Sequence, residues 1–324
     1  MSSSANADTL RVLVADYFAS RASSIGLDPN TLVVEYVLNW GGFVNYSYRI
    51  RDRRHAYHLK LSLSTDGQVA LRRWMTLAPL LERYHAPPIL DWIDLGSAAG
   101  PLFPYLPGNP PPLSQHVVFQ LVPVLRHLNE DSGLAAALQP SHDVTAHAEY
   151  LATFHERFTA DLRDIREARP PFVSEDLLQW LDDQVGTLSQ LVASADAFAE
   201  PLTKPVHGDL WLNNILWVGR DDWHLVDWDD LRIGDPAADL AMLLGPTADD
   251  PHPLKMLEHV DGLLASSDRE RLSRLGRATL LDWVIDPLSD WIEAGTAPEH
   301  ENAVRIEKER IHKRALACYR ELYR

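Results

Sequence analysis

The order of apolar and polar positions in the first hundred residues predicts one helix followed by three strands. Residues 8–24 carry apolar side chains at the spacing of an amphipathic helix, namely Leu10, Val12, Leu13, Tyr17 and Phe18. Residues 31–38, 46–50 and 55–61 are rich in β-branched and aromatic side chains, and short turns separate them. Three consecutive strands with short connections predict an antiparallel meander.

A further helix and two more short strands are predicted before the first clear boundary in the chain. The helix spans Gln68 to Tyr84 and ends before two consecutive prolines. The strands lie at 89–93 and 102–106. The proline-rich segment 101–112 is the strongest boundary signal in the sequence. We therefore predict a first domain at residues 1–105 and a second at 106–324.

The second domain is predicted to be mainly helical, with one β-hairpin inside it. Residues 214–218 and 223–228 read as strands on either side of a polar turn. Amphipathic helical patterns occupy the rest of this domain, at 113–129, 141–166, 174–196 and from the hairpin to the C-terminus. The fold class is therefore α+β, with a small antiparallel sheet in the first domain and helices in the second.

Charge is distributed unevenly between the two predicted domains. Residues 1–105 hold 10 basic and 9 acidic side chains, whereas the remaining residues hold 20 basic and 37 acidic ones. An acidic surface repels nucleic acid and attracts cations, so we expect no nucleic-acid partner and favour a cationic ligand. Acidic side chains that serve only solubility are the alternative explanation.

The remaining compositional features predict a cytoplasmic protein. The N-terminal residues lack the basic start and apolar stretch of a secretion signal. No apolar run approaches the roughly 18 residues that a membrane helix needs, so we expect no membrane partner. Cys318 is the single cysteine, which excludes an intramolecular disulfide. The sequence does not indicate an oligomeric state.

Catalytic residue types occur at a characteristic spacing between His207 and Asn214. Asp209 follows this histidine by two positions and precedes the asparagine by five. The spacing matches the His-x-Asp-x-x-x-x-Asn pattern of kinase catalytic loops, in which the aspartate faces the acceptor hydroxyl and the asparagine faces a metal ion. Farther along, Asp227 follows an apolar strand, where its carboxylate is expected to face the same metal.

Three blocks of the sequence together resemble the aminoglycoside phosphotransferase and choline kinase superfamily. The blocks are 207–214, 225–229 and 233–241, and they stand in the order and spacing of that family. The resemblance implies a bilobal protein-kinase-like fold, Asp209 as catalytic base, and Asn214 and Asp227 as Mg²⁺ ligands. It implies ATP as phosphoryl donor, with GTP possible. Asp235 and Asp239 match family acids that we expect to brace the loop and cap the following helix.

The first domain supplies candidate nucleotide-binding residues at the positions that the resemblance implies. Lys60 ends an alternating strand, where such proteins place the lysine that holds the α- and β-phosphates. On the strand pattern alone, a solvated surface lysine is the alternative. Between the first two strands, where the phosphate-covering loop belongs, stand Gly41, Gly42 and Asn45. The hinge that receives the base is expected at Phe103, Tyr105 and Leu106.

One position departs from the family pattern. The lysine normally pairs with a helix glutamate, but the helix after Lys60 offers Gln68, Arg72 and Arg73 before it reaches Glu82, close to its end. We expect either Gln68 or an acid from elsewhere in the chain to be the partner. A catalytically weak, pseudokinase-like binder of nucleotides or metabolites is the alternative function that this departure supports.

The acceptor is predicted to be a small molecule with a hydroxyl group and a positive charge. Four tryptophans in or after the catalytic segments are candidates to line its pocket through cation–π contacts, namely Trp211, Trp228, Trp283 and Trp291. An aminoglycoside, a choline-like amine or an amino sugar would fit these features. The sequence does not name the acceptor and does not separate ATP from GTP.

Overall fold

A computed structural model describes residues 3–37, 45–138, 144–219, 222–260, 264–294 and 301–323. The described residues of Met1–Pro110 and Asn213–Asp230 form one compact unit, and nearly all the others form a second. The predicted division at residue 105 stays a prediction. The α+β fold class is confirmed, because the first unit holds an antiparallel sheet and the second is mainly helical.

Five antiparallel strands form the sheet of the first unit, in the order β1-β2-β3-β5-β4. The predicted meander of three strands is confirmed, and β5 lies between β3 and β4. The strands are β1 Val33–Val37, β2 Tyr46–Arg51, β3 Ala56–Leu61, β4 Asp91–Asp94 and β5 Ala99–Pro104. Because β3 is an interior strand of this sheet, its backbone is hydrogen-bonded on both sides.

Two helices accompany the sheet. Helix α1 (Ser3–Arg21) contributes Leu10, Val14 and Phe18 to the apolar core that contains the buried strand residues Tyr48 and Ile50. Helix α2 (Thr65–Leu81) begins three residues before its predicted start. The earlier start has a local cause, because the Ser64 hydroxyl accepts a hydrogen bond from the Gly67 amide at 3.0 Å and caps the helix.

The predicted β-hairpin belongs to the sheet-containing unit, although helices flank it in the sequence. It consists of β7 (Ile215–Trp217) and β8 (Trp223–Leu225), which pair in antiparallel fashion. Asn109 and Trp217 exchange two backbone hydrogen bonds at 3.2 and 2.9 Å. The His85 ring stacks on the Trp223 ring at a centroid distance of 3.9 Å. These contacts fix the hairpin to the segments around β4 and β5.

Eight helices form most of the second unit as described: α3 Gln115–Asn129, α4 Ser132–Ala137, α5 Ala146–Tyr150, α6 Glu156–Ala168, α7 Glu175–Ala193, α8 Pro236–Leu243, α9 Ser266–Ala294 and α10 Glu301–Leu322. Their shared core includes Phe154, Leu181, Leu281 and Tyr319, all buried. None of the helices in the described part of the chain has the length and apolar character needed to cross a membrane.

One predicted helix of this unit contains a local irregularity, and the prediction for the segment after the hairpin was wrong. The helix predicted at 141–166 is interrupted by a π-helical turn at Leu151–His155, a local widening that an apolar periodicity does not reveal. The segment after the hairpin was predicted to be helical throughout. It instead contains β9 (Arg232–Gly234), which pairs with β6 (Lys204–Val206). Residues 244–260, which contain three prolines, are also described without α-helix after α8.

Candidate active site

The loop that carries Asp209 begins where β6 ends and is held by a buried carboxylate. Both oxygens of Asp239 accept backbone hydrogen bonds, from the His207 amide at 2.8 Å and from the Gly208 amide at 2.9 Å. Gly208 has a φ of 90°, a conformation that side chains with a Cβ rarely adopt. The expectation that Asp239 braces the loop is confirmed, and Gly208 supplies the sharp turn before the candidate base.

A second clamp on the same loop was not predicted. Arg232 on β9 donates from Nη1 to the Gly208 carbonyl at 3.2 Å, and from Nε and Nη2 to Glu149 Oε1 at 3.1 and 2.9 Å. Glu149 Oε2 accepts the Asp235 amide at 2.7 Å. Burial raises the pKa of Glu149, and the Arg232 guanidinium opposes that rise. Arg232 stands one residue before the third matching block, but no local pattern marks it as a clamp.

Asp235 joins this framework as a helix cap, as expected. Its carboxylate accepts the Ala237 amide at 3.0 Å and caps α8. The buried Arg271 guanidinium lies 2.9 Å from its other oxygen. Burial raises the pKa of Asp235, whereas Arg271 lowers it. The backbone of the loop before Asp209 is therefore held by Asp239 and Arg232, and Glu149 binds both Arg232 and the amide of the cap residue Asp235.

The two predicted metal ligands stand at the open end of the β7–β8 hairpin. The Val226 amide donates to the Asn214 carbonyl at 2.9 Å, so the residues on either side of the hairpin are brought together. Asp227 has a φ of 70°, in the left-handed region that non-glycine residues seldom occupy. Strained backbone of this kind is concentrated at functional sites.

Lys60 meets two aspartates in the same unit. Its ammonium contacts the carboxylate of Asp227 and lies 2.9 and 3.0 Å from the two oxygens of Asp229. Lys60 is buried, and burial alone would lower its pKa, but the two carboxylates outweigh burial and raise it. Burial and the neighbouring Asp227 raise the pKa of Asp229 to about 6. Of the two partners expected for Lys60, Gln68 and an acid from elsewhere in the chain, the structure shows the acid.

Gln68 has another role in the structure. Its side-chain amide donates to the Ser62 carbonyl at 3.1 Å, which secures the connection between β3 and α2. Glu82 is exposed in the turn after α2. Neither side chain therefore pairs with Lys60.

The position of Lys60 also depends on the absence of a side chain on β5. A Cβ atom at Gly100 would lie 1.9 Å from the Lys60 carbonyl oxygen. We expect Gly100→Ala to lower the free energy of unfolding by about 1–3 kcal/mol, because the two strands must separate. Chemical denaturation measures this loss. Gly186→Ala is the control, since nothing lies within 4 Å of its added methyl, and it should leave stability unchanged or raised. Equal stability of the two variants would contradict the prediction.

The other predicted nucleotide-binding residues have varied surroundings. Asn45 donates to Asp229 Oδ2 at 3.1 Å, so it contacts the Lys60 cluster. Phe103 packs against Trp74 at a centroid distance of 4.8 Å. Tyr105 lies under the Arg49 guanidinium at 4.1 Å. Leu106 is partly buried just beyond β5. Gly41 and Gly42 lie outside the described residues. The roles of these residues in nucleotide binding stay predictions.

The four candidate tryptophans divide into one fully buried and three partly buried positions. Trp228 is fully buried and donates from Nε1 to the Leu225 carbonyl at 2.8 Å, so its prediction as an acceptor-lining residue was wrong. Trp211, two residues after Asp209, meets Trp283 edge to face at a centroid distance of 6.2 Å. Both are partly buried. Trp291 lies beneath the Arg305 guanidinium at 4.3 Å.

Four acidic residues lie along one face of α9, at the three- and four-residue spacing that places helix side chains in a row. They are Asp282, which precedes Trp283, and Asp286, Asp290 and Glu293, which follow it. We call this row, together with Asp161 on α6, the acidic row. Burial raises the pKa of Glu293, and the negative charges of Asp286 and Asp161 raise it further. Burial is also the main cause that raises the pKa of Asp282 and of Asp290 to about 7.

Two basic side chains contact the acidic row. Arg157 contacts Asp282 at 2.5 Å and Asp286 at 3.3 Å, and Lys308 contacts Asp290. Of the Asp286 side chain, 43% is exposed. Carboxyl groups that raise each other's pKa are stabilised by an additional cation.

The residues present fit a magnesium ion bound together with phosphate groups. In the described parts of the chain, no three His, Cys, Asp or Glu side chains are grouped to hold a metal by themselves. Magnesium needs no such group, because it retains waters and binds one or two carboxylates together with substrate phosphates. The oxygens of Asn214 and Asp227 are hard ligands of this kind, and both residues are partly exposed.

The sequence matches a known family over most of its length. A sequence model of the phosphotransferase enzyme family matches residues 35–275. Viomycin phosphotransferase from Streptomyces vinaceus is 43% identical over 56 residues, which are 16% of this chain and 20% of that protein. The chain thus matches only about a fifth of the length of this curated relative.

Solved structures of low sequence identity share the fold. The GDP and kanamycin complex of APH(2")-IIia has a TM-score of 0.58 at 16% identity, over 93% of this chain and 98% of that one. Choline kinase from Cryptosporidium parvum Iowa II also has a TM-score of 0.58, at 12% identity, over 96% of this chain and 95% of that one. These similarities confirm the predicted protein-kinase-like fold.

Proposed function

Because this chain belongs to the phosphotransferase enzyme family, we propose that it transfers the γ-phosphoryl group of ATP to a hydroxyl group of a small, positively charged molecule. The observation that carries the proposal is the cluster of Lys60, Asp227 and Asp229, which the fold assembles from residues more than 160 positions apart. A buried cation and two carboxylates at the end of a strained turn are suited to polyphosphate and metal binding.

In the proposed reaction, Asp209 is the general base. Its carboxylate accepts the proton of the acceptor hydroxyl as the hydroxyl oxygen bonds to the γ-phosphorus of ATP. The bond between that phosphorus and the β–γ bridging oxygen breaks, and ADP leaves with the electron pair. Asp209 can perform this role because the amide and carbonyl groups around Gly208 are fixed by Asp239 and Arg232. Catalysis then depends mainly on positioning and electrostatics.

Lys60, Asn214 and Asp227 are proposed to receive the donor. Lys60 would bind the α- and β-phosphate oxygens, since its charge is maintained by neighbouring carboxylates. Asn214 and Asp227 would hold Mg²⁺. When bound, that ion neutralises phosphate charge. The donor is proposed to be ATP. GTP should be tested beside it, because a protein of similar fold has been solved with GDP bound.

The acidic row supports a cationic acceptor. Trp211 follows Asp209 by two residues and contacts Trp283, which stands one helical turn before Asp286. The catalytic loop and the acidic row are thus connected within one unit by a pair of aromatic rings. Aromatic faces and carboxylates together bind amines and quaternary ammonium groups. Kanamycin carries several amino groups and choline a quaternary ammonium, so the names of the structurally similar proteins agree with this choice.

The proposed function is tested by incubating the purified chain with Mg²⁺ and either ATP or GTP, against kanamycin, viomycin, choline, ethanolamine and an amino sugar. Release of the diphosphate and the mass of a phosphorylated acceptor are measured together. A neutral sugar and a sugar acid of similar size are the controls. We expect transfer to at least one cationic hydroxyl compound and no transfer to the sugar acid. Nucleotide binding without transfer to any cation would contradict the proposal.

The acidic row provides a prediction about acceptor affinity. Asp286→Asn should raise KM for a cationic acceptor about three- to tenfold, with a smaller effect on KM for ATP, because one exposed carboxylate is lost. Wild-type KM for a permanently charged amine should also rise as pH falls through about 7, where Asp282 and Asp290 become neutral. Steady-state kinetics measure both effects. Asp164→Asn, on the exposed surface of α6, is the control. An unchanged acceptor KM in Asp286→Asn would contradict the prediction.

The alternative of a pseudokinase-like binder has lost its main argument. It depended on the missing helix glutamate, and Lys60 is paired with Asp227 and Asp229 instead. We therefore propose the active enzyme.

A further inference from the structure

We propose that Asp229 is a positioning residue for Lys60, in the role that a glutamate of the following helix has in other kinases. The inference rests on the proposed function, because it concerns how the same site holds its nucleotide. It deepens that function by assigning a residue that the sequence motif does not mark as catalytic. Asp229 stands two positions after Asp227, where protein kinases carry the glycine of Asp-Phe-Gly.

The contact between Lys60 and Asp229 has the geometry of a lasting ion pair. The Lys60 ammonium lies 2.9 Å from Oδ1 and 3.0 Å from Oδ2, so both carboxylate oxygens are engaged. Only 11% of the Lys60 side chain and 16% of the Asp229 side chain are exposed. A lysine this buried needs a carboxylate nearby to remain charged. Asp227 also contacts it, but Asp227 is the proposed metal ligand, which leaves Asp229 as the carboxylate committed to Lys60.

Asp229 is itself held from two directions. The Asn45 side-chain amide donates to Oδ2 at 3.1 Å. Arg73 on α2 donates from Nη2 to the Asp229 main-chain carbonyl at 2.8 Å. In other kinases this helix supplies the glutamate that pairs with the lysine. Here α2 supplies Arg73 instead, which holds the backbone of Asp229. The neighbouring Arg72 has a different contact, because its guanidinium lies over the Trp92 ring at 4.1 Å.

Helix α2 offers no competing carboxylate. Its acidic residue, Asp66, is exposed in the first turn, and Glu82 is exposed in the turn that follows the helix. Gln68, which stands one turn into the helix, is engaged with the Ser62 carbonyl. Among the described residues, Asp227 and Asp229 are the carboxylates in contact with Lys60.

The test compares Asp229→Asn, Asp229→Glu and the wild type by ADP affinity, measured calorimetrically, and by KM for ATP and acceptor. We expect Asp229→Asn to weaken ADP binding and raise KM for ATP on the order of tenfold to a hundredfold, the effect of losing a hydrogen bond to a charged group. KM for the acceptor should stay within about threefold. Asp229→Glu keeps the charge and should recover most of the affinity. Asp230→Asn, at the exposed neighbouring position, is the matched control.

A double-mutant cycle separates positioning from general structural damage. If Asp229 acts through Lys60, Asp229→Asn should have little further effect on ADP affinity in a Lys60→Met background. Equal effects in both backgrounds would overturn the proposal. Arg73→Ala is the second variant, for use if Asp229→Asn fails to fold. It removes the hydrogen bond from the exposed Arg73 side chain to the Asp229 main-chain carbonyl. It should weaken ADP binding a few-fold, on the order of one lost hydrogen bond, and unchanged affinity would count against the proposal.

The outcomes distinguish this inference from the proposed function. A wild-type chain that binds no nucleotide would contradict the proposed function. A wild-type chain that binds ADP, together with an Asp229→Asn variant that binds it equally well, would overturn the role of Asp229 and leave the proposed function intact.

Discussion

Asp209→Asn is expected to lower kcat by a factor of about 10² to 10⁴, the usual contribution of a general base. Affinity for ATP should stay within about threefold, because Lys60, Asn214 and Asp227 are unchanged. The substitution keeps the size of the side chain and removes its capacity to take a proton. Pre-steady-state kinetics and ADP binding measure the two quantities separately.

Asp176→Asn is the control for this result. Asp176 is exposed in the first turn of α7, so its loss removes one negative charge from the same unit without touching the loop. It should leave kcat unchanged. If Asp209→Asn retained kcat within about threefold of the wild type, the assignment of the base would be wrong.

The second large effect is expected at Asp239. Asp239→Ala would leave the buried amide of His207 and the partly buried amide of Gly208 without their acceptor. Each unsatisfied buried donor costs about 1–3 kcal/mol, so the free energy of unfolding should fall by about 2–5 kcal/mol. The turnover number should fall as well, because the loop before Asp209 loses its brace. Urea denaturation and steady-state kinetics measure the two losses.

The pH dependence of stability provides an independent check on Asp239. Burial raises its pKa to about 6, although the amides of Gly208 and His207 oppose the rise. The folded state therefore binds a proton at a pH where the unfolded state does not. This carboxyl makes the wild type more stable as pH falls from about 7 to 4, by about 1 kcal/mol per pH unit at most. Asp239→Asn should lack that contribution, and a parallel pH profile in the two proteins would contradict the assignment.

Local patterns in the sequence predicted the sheet and the spacing of the catalytic residues. The patterns of residues 46–50 and 55–61 predicted β2 and β3 nearly to their ends. Burial alternates along β2, whereas the last three residues of β3 are all buried. The separation of five positions between Asp209 and Asn214 depends only on the chain itself. The roles of these residues stay predictions, but the fold does place Asn214 and Asp227 at one end of a hairpin.

Long-range partners could not be predicted. Asp229 pairs with a lysine 169 positions away, and Arg232 binds a glutamate 83 positions away. No periodicity encodes such pairs, since they follow from which elements the fold brings together. Trp228 was misassigned for the same reason. Its position beside Asp227 suggested a pocket, whereas the 3₁₀ turn that it begins directs the indole into the core.

The inclusion of the β7–β8 hairpin in the sheet-containing unit has a consequence for synthesis of the chain. All five strands of the sheet have been made by residue 104, but the carboxylates that contact Lys60 follow only at 227 and 229. At about 5–20 residues per second, the interval is roughly six to twenty-five seconds. During that time a nascent lysine has no counter-ion from the hairpin. A fragment that ends at Pro110 would remain in this condition permanently, so gene fusions and split reporters should keep the first 230 residues together.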